Sequence, residues 1–292
     1  MSSFDACIIV DWSANSRPKT GKDSVWWCIA SRERGEIRNE APVNSRTRSE
    51  AKTEIAARLT AMVEEGRSVL VGFDFPYAYP RGFAEALGLR GEPWRAIWDE
   101  ISGLVRDDQR GFVNNRFEVA ASLNGRLADR GRFWGCPRSA RRAGLEMTKR
   151  AMRDGSLAEF RVTERRIPGP KSCWQLFYNG SVGSQALLGI PVLASLRDDP
   201  RLASASAVWP FETGATLPAR IPGRARIVHA EVYPSSIAAL PAPGEVKDAA
   251  QVRTLARHFL ARDSAGALEA DFAAPALYAD AWPEEGWILG VR

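Results

Sequence analysis

Histidine is almost missing from this 292-residue chain: His229 and His258 are the only two. A histidine-rich zinc site cannot be built from them, and a Ser/His/Asp triad would have to draw its base from this pair. Cysteine is sparse as well. Cys7, Cys28, Cys136 and Cys173 lie far apart with no C-x-x-C pair, so zinc-finger spacing is lacking and buried thiols are the simplest reading. No apolar run approaches the roughly 20 residues that span a bilayer. The start, MSSFDACIIVDWSAN, has no basic region and meets an aspartate too early for a secretion signal. The expectation is a cytoplasmic protein with no membrane partner. A phosphate-binding P-loop is excluded too, since Gly21-Lys22 is followed by Asp23 with no glycine five residues before Gly21.

What is present is an ordinary globular composition, 45% apolar and 26% charged, in a chain long enough for one large domain or two smaller ones. The formal charge of +5 is unevenly spread. Between Arg106 and Lys171 sixteen Arg/Lys face eight Asp/Glu, which leaves that segment at +8 and the remainder at −3. Such a segment suits a polyanion, or else is a solvated surface of helix pairs.

Ala6–Asp11 (ACIIVD) and Val69–Asp74 (VLVGFD) are unbroken apolar runs ending in aspartate, as expected of strands covered on both faces. Val25–Ala30 follows the first at hairpin distance, and Gly35-Glu36 opens a more polar third strand. Residues 48–65 predict an amphipathic helix through Ile55, Leu59 and Met62, stopped at Gly66. Helical stretches are expected at Trp94–Val105, Asn115–Leu127 and Ala140–Arg153, then a Pro/Gly-marked linker at Ile167–Pro170. Arg226–Tyr233 predicts a strand stopped by Pro234, followed by a helix at Asp248–Arg262 and an apolar strand or clamp at Gly286–Val291.

Asp11 and Asp74 each close a buried strand, at the sheet edge where open α/β folds bind ligands. A carboxylate there is costly to desolvate unless it is paired or bound to a cation. Glu231 lies inside an apolar strand, and steps of four, three and four put Asp248 on the same helix face as Val252, Leu255 and Phe259. The expectation is a cluster of Asp11, Asp74 and Glu231 within about 4–6 Å, completed by Asp248, holding Mg²⁺ or Mn²⁺. Opposite sheet faces for Asp11 and Glu231 would end the nuclease reading built on this cluster. The bland alternatives are a turn-capping Asp11, a helix-starting Asp248, and a buried Glu231–arginine ion pair.

The strings IIVDWSAN, GFDFPYAYP and HAEVYPSS, with KDAAQV and the closing EEGWILGV, resemble a bacterial family predicted to be nucleases of ribonuclease H fold. Some members carry names tied to molybdopterin-guanine-dinucleotide or cobalamin synthesis. PKSCWQLFYNGSVGSQALLGIP and WPFETG extend the likeness. The resemblance implies an α/β, ribonuclease H-like mixed five-stranded sheet flanked by helices, residues 1–89 and 223–292. A basic, mostly helical insertion, residues 90–222, would lie between the fourth and fifth strands. It also implies Asp11, Asp74, Glu231 and Asp248 as the catalytic and metal-holding set. Unlike familiar ribonuclease H enzymes, this chain has no second acid beside Asp248, since Ala249, Ala250 and Gln251 follow it.

The expected activity is a metal-dependent phosphodiesterase acting on nucleic acid or a nucleotide. Ser13, Asn115, Arg116, Arg130, Arg132, Gln175, Ser181 and Gln185 are the expected substrate contacts. Gly180–Gln185 could present amides and hydroxyls to a phosphate or could be a plain turn. Glu212 could point into the same cleft. Arg126, Arg138, Arg141 and Arg142, with Phe133 and Trp134, could add phosphate and base contacts, or Trp134 could belong to the core. Trp94 and Trp98, at i, i+4, are expected in the core. Two alternatives remain: a nucleotide-binding phosphotransferase of the actin-like kinase superfamily, whose phosphate-loop glycine Asp11-Trp12-Ser13 lacks, and a non-catalytic scaffold.

Overall fold

Runs too apolar to meet water on either face make the centre of the sheet. The computed structural model describes residues 2–108, 113–151, 156–218 and 225–292. Its strands are β1 (Ala6–Asp11), β2 (Val25–Glu33), β3 (Glu36–Asn39), β4 (Val43–Ser45), β5 (Ser68–Phe73), β6 (Ser206–Val208) and β7 (Arg226–Glu231). They form one mixed seven-stranded sheet in the order β3-β2-β1-β5-β7-β6, with β4 paired to β2. β1, β2 and β3 run antiparallel, whereas β5 is parallel to β1, and β7 and β6 continue in parallel. Five strands were expected. β4 and β6, three residues each, are too short to carry a periodic signature.

The helices are α1 (Arg48–Glu64), α2 (Phe83–Ala86), α3 (Pro93–Leu104), α4 (Arg116–Arg126), α5 (Gly183–Arg197), α6 (Lys247–Ser264), α7 (Glu269–Phe272) and α8 (Trp282–Glu285). The pleat sorts the side chains into two cores. Ala6, Ile8 and Val10 of β1 and Val69, Val71 and Phe73 of β5 join Ala51, Ile55, Leu59 and Met62 of α1, and Leu187 and Ile190 of α5. Cys7 and Ile9, Leu70, and Val228 and Ala230 turn the other way, onto Val252, Leu255 and Phe259 of α6. Gly189 is the close-approach point of the first layer: a Cβ there would lie 2.4 Å from the Phe75 ring.

The described part of residues 90–222 shares this first core, and outside α3, α4 and α5 it is mainly irregular chain rather than the mostly helical insertion expected. Trp94, Ile97 and Trp98 of α3 pack in the core, as expected for the tryptophans, and β6 adds a strand to the sheet. The helix expected at Ala140–Arg153 is replaced by a single 3₁₀ turn, Arg138–Ala140, and irregular chain up to residue 151; Arg153 lies outside the described residues. Gly144 interrupts the expected helix, with a φ of 83°, a left-handed backbone outside the right-handed helical range. The expected boundary at 222/223 also falls outside the described residues. Gly286–Val291 is a clamp rather than a strand: Trp287, Ile288 and Leu289 are buried, and Ile288 makes an isolated bridge to Glu231. Among the described residues no helix is long and apolar enough to cross a membrane.

Candidate active site at the carboxyl edge of the sheet

The parallel register between β1 and β5 decides which acids meet. Val10 pairs with Phe73, and the Asp74 amide donates to the Val10 carbonyl at 3.2 Å, so Asp11 and Asp74 become neighbours where both strands end. Their carboxyls lie within hydrogen-bond reach of each other. Burial raises both pKa values, and the mutual repulsion of the pair adds to that of Asp11. One contact anchors the geometry: the Trp12 amide donates to Asp74 Oδ1 at 2.7 Å. Asp248 adds a third negative charge acting on both from the first turn of α6, and one of its oxygens accepts the Asp23 amide at 2.8 Å. No basic side chain is hydrogen-bonded to the Asp11–Asp74 pair among the described residues.

Glu231 does not join them. It pairs with Phe73 across β5 and β7, and Phe73 points with Val10 into the first core. Alternation therefore sends Asp11 and Asp74 to the face opposite Glu231. Glu231 is also neutralised. Arg161 donates to its two oxygens at 2.8 and 2.5 Å, and the Tyr77 amide adds a third bond at 2.9 Å. Arg161, fully buried, is shared with Glu164 at 3.0 Å. The expected three-carboxylate cluster is thus overturned, the nuclease reading built on it ends with it, and the buried ion pair takes its place. Glu231 still reaches a cavity of about 150 Å³ that Asp11, Asp74 and Arg161 also line. Among the described residues no group of three or more His, Cys, Asp or Glu side chains is arranged to hold a metal. The aspartate pair is what remains for a cation, and magnesium ordinarily takes one or two carboxylates and keeps several waters.

A larger cleft of about 590 Å³ opens from the other side of Asp11. Ser13, Arg116, Ser181, Gln185 and Asp248 line it, as expected of site residues. Gln185 also lines the smaller cavity and donates to the Trp12 carbonyl, tying α5 to the loop after β1. Four expected substrate contacts lie elsewhere. Asn115 spans the turn before α4, accepting the Arg106 amide at 2.7 Å and donating to the Leu104 carbonyl at 2.9 Å. Arg132 is buried, bonded to the Leu157 carbonyl and set against the Trp174 ring. The Gln175 amide is turned onto the Phe177 carbonyl at 3.0 Å. Arg130 is exposed and lines neither cavity.

Much of the basic surface is spent internally. Arg126 pairs with Glu100, Arg141 with Glu146 and Arg142 with Glu118, so the +8 segment is in large part an ion-paired face. Glu212 pairs with Arg197 and accepts the Val208 amide, away from both cavities. Sequence reasoning missed Arg161, because its partner stands 70 residues away. It also missed Phe177 and Tyr178, exposed rings on the cleft. Compared with models of protein families, with curated proteins and with solved structures, the chain matches none.

Proposed function

We propose that the protein is a divalent-metal-dependent phosphodiesterase acting on nucleic acid or a nucleotide, with Asp11 and Asp74 as its catalytic carboxylates. One observation carries the reading: two adjacent aspartates at the ends of neighbouring parallel strands, with no basic side chain hydrogen-bonded to them among the described residues, both line the smaller cavity, and Asp11 also lines the larger cleft. Like charges so placed favour either a retained proton or a bound cation. The order β3-β2-β1-β5-β7, antiparallel across β1–β3 and parallel from β1 to β7, supports a ribonuclease H-like core, with β6 added at the edge. Glu231, on the opposite sheet face and with its charge met by Arg161, has no part in the proposed chemistry, which rests on the Asp11–Asp74 pair in place of the expected three-acid cluster.

Asp11 and Asp74 would hold one Mg²⁺ or Mn²⁺, and Asp248 would accept hydrogen bonds from its waters. Such a cation lowers the pKa of bound water and offsets charge growing on phosphate oxygens. In hydrolysis a water would give up one proton to solvent as its oxygen bonds to phosphorus, one P–O ester bond would break, and the departing alkoxide would take up a proton from solvent, consuming one water. Asp74, held by the Trp12 amide, keeps its position through that exchange of charge.

The test is hydrolysis of bis(p-nitrophenyl) phosphate and of a short oligonucleotide with Mn²⁺ or Mg²⁺. Wild-type turnover that rises from pH 6 to 9, as metal displaces the shared proton of the pair into solvent, is expected. Asp11→Asn and Asp74→Asn should bring turnover to background. Turnover unchanged in Asp11→Asn, or absent from the wild type with either metal, would refute the proposal.

A further inference from the structure

The larger cleft offers more than a pair of carboxylates requires. Arg116 lines it and is only 8% exposed, yet among the described residues its guanidinium donates to neutral oxygens alone, Ser184 Oγ at 2.9 Å, Ser16 Oγ at 3.0 Å and Asn114 Oδ1 at 2.6 Å, and lies 4.3 Å over the Phe117 ring. A buried cation without a bonded carboxylate is an unfinished arrangement that an anion completes. Burial, with the charge of Arg48 nearby, lowers its pKa to about 10 against the opposing charges of Asp107 and Glu118.

On the same cleft stand Phe177 and Tyr178, 38% and 47% exposed, their rings set edge-to-face with centroids 5.0 Å apart. They are the only aromatic rings among the exposed large apolar side chains of the described residues. Tyr178 has a φ of 78°, a backbone state uncommon for a side-chain-bearing residue. Flat apolar faces beside a buried guanidinium match a ligand with a planar ring at one end and a phosphate at the other.

We infer that this cleft recognises an unpaired nucleotide, its base stacked on Phe177 and Tyr178 and a phosphate on Arg116, so that a phosphodiester reaches Asp11 and Asp74. The inference rests on the phosphodiesterase reading for its chemistry, but the recognition it assigns is separable. A paired base has its faces covered by its neighbours in the stack, so the rings select single strands.

Anisotropy of a labelled eight-residue oligothymidylate, measured in EDTA and in Mg²⁺, tests it, with a duplex, thymidine monophosphate and ribose 5-phosphate as competitors. Phe177→Ala and Tyr178→Ala should each weaken binding by roughly 5- to 150-fold, the range for loss of one stacked base. Tyr178→Phe should keep it. Both positions are exposed, so melting temperatures should not change. Equal affinity after removal of either ring, competition by ribose 5-phosphate as strong as by thymidine monophosphate, or no binding of the oligonucleotide would overturn the inference. Ring-dependent binding without hydrolysis would sink only the hydrolytic reading. Hydrolysis with ring-independent binding would sink only the stacking assignment.

Discussion

Replacing Asp74 by asparagine should stabilise the metal-free protein at alkaline pH, by an amount that follows from the retained proton. Both carboxyls of the pair have folded-state pKa values above the unfolded value, about 10 for Asp11 and about 7 for Asp74. A raised carboxyl contributes stability that is complete below the unfolded pKa near 4 and is lost as pH climbs through the folded value. Between pH 7 and 9 the pair holds one proton and the unfolded chain holds none there. Each pH unit then removes about 1.4 kcal/mol, or ~3 kcal/mol across the window, less whatever solvent at the cleft mouth screens. At this chain length that is a fall in Tm of about 5 °C.

The Asp74→Asn substitution keeps the side-chain oxygen that accepts from the Trp12 amide and removes the like charge. The variant's curve should therefore be flatter and cross above the wild type at high pH. Urea unfolding in EDTA at pH 6, 7.5 and 9 measures the difference directly. Parallel curves for the two proteins, or a wild type that gains stability between pH 7 and 9, would refute the reasoning. Millimolar Mg²⁺ should restore the wild type by ~2.7 kcal/mol at a concentration 100 times Kd, and should do little for Asp74→Asn.

Other consequences follow from the same contacts. Arg161→Leu leaves Glu231 buried and uncompensated, so it should cost about 3–5 kcal/mol, read as a shifted denaturation midpoint. A change below about 1 kcal/mol would remove the ion pair from the account. Gly189→Ala drives a Cβ into the Phe75 ring and should cost about 1–3 kcal/mol by calorimetry. His229 is fully buried, neither ring nitrogen has a hydrogen-bond partner among the described residues, and burial lowers its pKa to about 3. A depressed imidazole costs stability as pH falls from the unfolded value near 6.5 through the folded one, because only the unfolded chain is protonated there. His229→Leu should flatten that acid limb between pH 6 and 4 in urea unfolding, and an unchanged limb would contradict it.

The sequence was legible where one rule acted alone. Strands β1, β5 and β7 are covered on both faces, so they read as apolar runs, and their terminal aspartates stood out as polar exceptions. Helices α1 and α6 repeat their apolar positions at helical spacing against a single sheet face. Glu231 stood out for the same reason as the aspartates, but its meaning depended on pairing. Only the register of β7 on β5 reveals that it faces away from Asp11, and only the fold brings Arg161 to it. The arginines of residues 106–171 read as a surface for a polyanion because their carboxylate partners, Glu100 for Arg126 and Glu118 for Arg142, lie on other turns. Phe177 and Tyr178, in a loop beside apolar sequence, carried nothing that told exposed rings from buried ones.

Whether Asp11 and Asp74 hold a divalent ion is the claim on which the functional account turns. Diffraction at the manganese edge from a crystal soaked in millimolar Mn²⁺ tests it. One strong anomalous peak is expected at coordination distance from both carboxylates, about 2.1 Å for ions of this size. The peak should disappear in Asp11→Asn. A crystal with no peak at the pair, or with manganese on Glu231 instead, would contradict it.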